Sequence, residues 1–114
     1  MSRYEGNVFY ECGDGWLPII EDIVGQVESL GGKVSRVKEK FGGLDIYYDE
    51  PIEDFSEDRQ NAWDNLQLAV SAARTESMCT CEICGKPGVP RTNNRWIKTL
   101  CDEDGLTLGY KAKT

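Results

Sequence analysis

The feature that most constrains this chain is its cysteine pattern. Cys81-Glu-Ile-Cys84 is followed at once by Gly85, and Cys101-Asp-Glu-Asp104 comes later, behind the short apolar run Trp96-Ile-Lys-Thr-Leu100. Two thiols separated by two residues can be aimed at one ion by a tight turn, and a glycine just beyond relieves the backbone. A knuckle, a strand and then a ligand pair on the first turn of a helix is the arrangement of treble-clef zinc modules. The expectation is a structural Zn2+ held by Cys81, Cys84 and Cys101. For the fourth ligand, spacing favours Asp104, whereas thiolate chemistry favours Cys79, two residues before the knuckle.

Other uses of these cysteines are weaker. Four of the five lie between Cys79 and Cys101, with no apolar export segment at the N-terminus. Clustering of this kind favours metal over disulfides and predicts a soluble, cytoplasmic protein. A redox Cys-x-x-Cys is disfavoured by Cys101 and by the lack of a long βαβ pattern before the motif. The chain contains no histidine, which removes the imidazole general base and both Ser-His and Cys-His nucleophile pairs. The expectation is therefore a protein that is not an enzyme.

The first 77 residues read as an α+β body on which a module of residues 78–114 packs, the whole being one folding unit. Residues 7–16 suggest an extended piece entering the Gly13-Asp-Gly15 turn, with Trp16 packed beneath the helix that follows and Cys12 either buried or incidental. That helix should start near Leu17, carry Ile19, Ile23, Val27 and Leu30 on one face and stop at Gly31-Gly32. Lys33 to Asp49 predicts a β-hairpin around Gly42-Gly43, with Val37, Glu39 and Phe41 on one side and Leu44, Ile46 and Tyr48 on another. Lys38-Glu-Lys40 reads as a salt-bridged solvent face. Ser56 caps a second helix that should run to about Thr75, with Trp63, Leu66, Val70 and Ala73 as its stripe.

Charge is unevenly placed. The formal net charge is -7; residues 1–58 carry 5 basic and 14 acidic side chains, residues 59–114 carry 8 and 6. An acidic balance is a poor match for a nucleic-acid backbone, which is bound largely through Lys and Arg. Asp49, Glu50, Glu53, Asp54, Glu57 and Asp58 form a run that either binds a basic partner or is a solvated loop feeding a helix N-terminus. Arg91, Arg95 and Lys98 around Trp96 suggest a single-strand nucleic-acid surface, against the simpler reading of Trp96 as the hydrophobic prop of a small zinc core.

Three stretches, Glu11-Cys-Gly-Asp-Gly-Trp16, Val37-Lys-Glu-Lys-Phe-Gly-Gly-Leu44 with Tyr47-Tyr48, and Cys81 to Asp104, together resemble a set of small uncharacterised proteins of phages and prophages. In that set the last ligand pair reads Cys-x-x-His, so Asp104 stands where histidine is expected. The resemblance implies an accessory role in a bacterial host. By analogy with small acidic anti-CRISPR proteins, it points to a protein that binds and inhibits a host defence protein, such as a CRISPR effector or another nuclease, through an acidic surface. The alternative is a regulatory nucleic-acid-binding zinc module. The oligomeric state is open.

Overall fold

The computed structural model describes residues 3–5, 8–49 and 56–112. Strand β1 (Arg3–Glu5) pairs antiparallel with β2 (Val8–Glu11), and a short 3-10 turn at Asp14–Trp16 leads into helix α1 (Leu17–Ser29). Pro18 sits in the first turn of α1, where its missing N–H is harmless. Ile19, Ile20, Ile23 and Val27 supply the buried face, and Gly31 closes the helix with a φ of +83°. Full burial of side chains of this size stabilises by about 1.5–3 kcal/mol each.

Helix α1 is the crossover of a βαβ unit, because β2 runs parallel to β3 (Lys33–Lys40). Strand β3 then turns antiparallel into β4 (Gly43–Asp49), completing a four-stranded sheet in the order β1-β2-β3-β4. Phe41 does not join the apolar side of the hairpin. Lys40 pairs with Gly43, so Phe41 and Gly42 form a two-residue turn with φ values of +54° and +83°, and the Phe41 ring points to solvent. Positive φ at both central residues matches the right-handed twist of the strands, and Gly42 takes it without strain.

Helix α2 (Glu57–Ser77) is capped by Ser56, whose Oγ accepts from the Arg59 N–H at 3.3 Å, and it ends two residues beyond the expected Thr75. Trp63, Leu66 and Ala73 are buried and Val70 is half-buried, as the stripe predicted. The two helices cover one face of the sheet and meet Tyr10, Val34, Val37, Leu44 and Ile46 in one core with Cys12 and Trp16; Tyr48 stacks on Trp63 with ring centroids 6.1 Å apart. Ser77 ties α2 to the sheet, its Oγ accepting the Leu44 N–H at 2.8 Å and donating to the Arg74 carbonyl.

The Lys38-Glu-Lys40 stretch is salt-bridged in part, at Glu39 among the described residues. Lys38 and Lys40 have no ion pair among the described residues. They lie over the rings of Tyr47 and Phe41, while Arg36 lies over Phe9. Glu39 turns instead toward Lys98 of the C-terminal region.

That region is a second, smaller assembly. Strand β5 (Val89–Asn93) pairs with β6 (Trp96–Leu100) and with β7 (Lys111–Ala112), and helix α3 (Asp102–Leu108) follows β6. Cys81, Leu100 and Cys101 form its buried cluster, with Tyr110 packed against them. No helix of the described residues is long and apolar enough to cross a membrane.

Candidate metal centre

The knuckle is built by its own backbone. The Cys81 N–H donates to the Lys86 carbonyl at 2.7 Å, and the Gly85 N–H returns to the Cys81 carbonyl at 3.0 Å, which folds residues 81–86 into a tight loop and turns both thiols to one side. Gly85 has a φ of +81°, the value the glycine after the second thiol was expected to relieve. Strand β6 then delivers Cys101 to the N-cap of α3, where its sulfur accepts the Asp104 N–H at 3.4 Å. Residues one turn apart on a helix share a face, so Asp104 points where Cys101 points.

Cys81, Cys84, Cys101 and Asp104 thus converge, with all four ligand atoms within 4.8 Å of one another. Cys81 and Cys101 thiols donate to Asp104 Oδ2 at 3.2 and 3.3 Å, and the Cys84 and Cys101 sulfurs lie 3.6 Å apart. This group can hold a metal ion. Cys79 is exposed and not part of it; its carbonyl accepts the Gly88 N–H at 3.0 Å, which places it on the outer limb of the knuckle.

The electrostatics are those of crowded donors. At Cys84 the Lys86 backbone hydrogen bond favours the thiolate, but desolvation and hydrogen bonds with Asp104, Cys81 and Cys101 outweigh it, and the thiol is pushed up to about 12. The same thiols, Cys81 first, hold the Asp104 carboxyl below its usual value, against desolvation. A metal is bound by thiolates, so its binding here would release thiol protons and would be tied to pH.

A part of the site that sequence reasoning missed lies inside the knuckle. Glu82 is only 3% exposed. Its Oε2 accepts the Gly13 N–H at 2.9 Å, its carbonyl accepts the Gly15 N–H at 2.7 Å, and its own N–H donates to the Thr99 carbonyl at 3.0 Å. Lys98 Nζ bridges Glu82 and Glu39 at 3.4 and 3.3 Å. Both carboxylates raise the Lys98 pKa, against the larger single effect of desolvation. The Trp16 indole N–H donates to the Thr80 carbonyl at 2.8 Å, and Thr99 Oγ1 donates to the Gly42 carbonyl at 2.5 Å. A Cβ on Gly15 would stand 2.1 Å from the Cys81 carbonyl oxygen. The Gly-Asp-Gly-Trp and Phe-Gly-Gly stretches, read from sequence as turns, are therefore also the seats on which the knuckle is docked. Two glycines at alternate positions beside a tryptophan were the available signal of a close backbone approach.

No protein-family model, curated protein or solved structure gives a significant match to the chain.

The remaining candidates are dispersed. Asp49 is exposed at the end of β4, Glu57 and Asp58 are exposed in the first turn of α2, and Glu50, Glu53 and Asp54 lie outside the described residues. Trp96 is 70% exposed at the tip of the β5–β6 hairpin and does not prop the metal core; Leu100 fills that role at 0%. Position along β6 explains the difference, since burial rises from the hairpin tip at Trp96 to Thr99 and Leu100 at its Cys101 end. Arg91 is engaged by the Leu100 carbonyl at 2.9 Å and by Asp102 at 2.5 Å, and Lys98 by its two glutamates, so of the four residues of the nucleic-acid reading only Arg95 and Trp96 stand exposed.

Proposed function

We propose that this chain is a non-enzymatic, zinc-stapled interaction protein that engages a basic partner through an acidic surface. The observation that carries the structural-metal reading is the Cys81, Cys84, Cys101 and Asp104 group itself. Tetrahedral zinc with Zn–S near 2.3 Å and Zn–O near 2.0–2.2 Å brings sulfurs to about 3.8 Å and sulfur and oxygen to about 3.5 Å of each other. The 3.6 Å and 3.2–3.3 Å separations here need to open by only a few tenths of an ångström. Four protein ligands close the coordination shell, which is the structural pattern; catalytic zinc keeps one position for water or substrate. The knuckle, the β5–β6 hairpin and the α3 N-terminus follow the treble-clef order.

The acidic surface is best placed on the helix layer. Glu21, Asp22, Glu28, Glu57, Asp58, Asp64 and Glu76 are all exposed on α1 and α2. Helix α1 has no basic residue, and the two arginines of α2 turn inward: Arg59 donates to the Leu30 carbonyl, and Arg74 to the Leu44 and Lys40 carbonyls. The resemblance to phage proteins supplies the class of partner, a bacterial host defence protein that handles nucleic acid, such as a CRISPR effector or another nuclease, met in the host cytoplasm. Purified protein should contain one zinc per chain and form complexes with a basic nuclease that weaken steeply between low and moderate salt. Absence of zinc, or of any salt-sensitive complex, would overturn the proposal.

A second reading, nucleic-acid binding by the β5–β6 tip, is favoured by the exposure of Trp96 beside Arg95. Gel retardation of single-stranded oligonucleotides at low salt that is lost in Trp96→Ala would support it.

A further inference from the structure

The outer side of the helix layer is not smooth. Between α1 and α2 runs a hollow of about 400 Å³ with Pro18, Ile19, Ile23, Ala69, Ala72 and Ala73 along it and Asp22 and Glu76 on its rims. A second hollow of about 430 Å³ adjoins it through Pro18, Ile19 and Glu76 and continues past Asp14 to Cys84 and Gly85 of the knuckle. Together they make one groove whose lining contains the carboxylates of Asp14, Asp22 and Glu76 and no basic side chain.

We propose that this groove is the docking site for a basic helical segment of the partner protein, which lays small apolar side chains along the alanines and sets Lys or Arg on both rims. The inference rests on the acidic-partner reading and says where on the layer the partner sits. Three features support a helix. The walls are themselves two packed helices, and a third helix fits such a furrow as ridges fit grooves. Alanines at 69, 72 and 73 leave room for close approach. The stretch from Ala69 to Glu76 is about 10 Å long at 1.5 Å per residue, two turns of helix, and the knuckle half extends it.

Charge sets the chemistry of the occupant. Asp22 and Glu76 have no ion pair among the described residues, and Asp22 is bonded only by Gln26 Nε2 at 3.1 Å. A cation arriving at Asp22 and Glu76 meets carboxylates that no cation among the described residues pairs with. The knuckle end adds a link to the metal, because Cys84 and Gly85 form part of the groove.

The test uses the full zinc-loaded chain and a fluorescein-labelled alanine–lysine helical peptide of about 18 residues, roughly 27 Å long, with an alanine stripe between two lysine edges. A scrambled peptide and polylysine serve as comparisons, all followed by anisotropy at low salt. The double variant Asp22→Lys/Glu76→Lys is expected to weaken the patterned peptide at least tenfold, whereas Glu28→Lys/Asp64→Lys, with the same change in charge, weakens it less than twofold. Ala72→Leu, which fills the groove without touching charge, is expected to lose at least fivefold. Equal weakening by both double variants, or equal binding of scrambled and patterned peptides, overturns the groove while leaving the acidic surface in place. Failure of wild-type protein to bind even polylysine overturns the acidic-partner reading and the groove with it.

Discussion

Removing the Glu82 side chain isolates the docking of the knuckle from the metal ligands. In Glu82→Ala the buried Gly13 N–H loses its carboxylate acceptor at 2.9 Å. A buried donor left without a partner costs about 1–3 kcal/mol. Lys98 keeps Glu39 at 3.3 Å and is 30% exposed, so the lost pairing adds no more than about 1 kcal/mol. With the small apolar loss from the methylenes, the total is about 2–4 kcal/mol, a large share of the roughly 5–15 kcal/mol that holds a domain of this size together. At about 4 °C per kcal/mol, the thermal midpoint should fall by roughly 8–16 °C. The assay is thermal unfolding followed by circular dichroism at buffered free zinc, with Glu82→Gln alongside; the amide oxygen can still accept from Gly13, so this variant should lose about half as much. A Glu82→Ala midpoint within about 2 °C of wild type would refute the view that this side chain holds the two halves together.

Four further outcomes follow from the same geometry. Cys79→Ser should leave zinc affinity within about twofold by chelator competition, whereas Asp104→Ala should lower it at least about tenfold and Asp104→His should raise it. Chelation of the metal should strip hydrogen-exchange protection from residues 79–110 and also from the Gly13 and Gly15 amides, while the α1 amides near Ile23 persist; unchanged Gly13 and Gly15 protection would show that the body ignores the metal. Gly15→Ala places a Cβ 2.1 Å from the Cys81 carbonyl and should destabilise by more than about 3 kcal/mol in urea, whereas Gly25→Ala, with nothing within 4 Å in mid-helix, should stabilise by about 0.5–1 kcal/mol. The Lys98 pKa is raised in the folded state, so its stabilisation is complete below the ordinary value of 10.5 and is lost as pH climbs through the folded value; unfolding between pH 9 and 11.5 should show an alkaline loss that is smaller in Lys98→Met.

Periodicity and punctuation made much of this fold legible. The stripe of α1, the Ser56 cap, the Trp63 to Ala73 stripe and the Cys-x-x-Cys-Gly knuckle all follow from rules that act within a few residues, and the structure places them accordingly. What escaped depends on contacts between distant segments. That β2 joins the sheet parallel to β3 is not written in Val8–Glu11, because a three-residue ladder is specified by α1 carrying the chain across. Glu82 looks like one more surface acid until Gly13 and Lys98, 69 and 16 residues away, are seen around it. Strand alternation sets Phe41 on a side of the hairpin with Val37 and Glu39, and the needs of a small core make Trp96 its prop; each lies instead in or beside a hairpin turn, and turn geometry sets its direction.

The seating of the knuckle also bears on how the protein is made. Gly13, Gly15, Trp16 and Gly42 are synthesised early, yet their partners are Thr80, Cys81, Glu82 and Thr99. A ribosome-bound chain lacking these residues leaves Gly13, Gly15, Trp16 and Gly42 without those contacts, and Cys101 and Asp104 emerge later still. The early-made half of the chain therefore completes these contacts only once the C-terminal region has been synthesised.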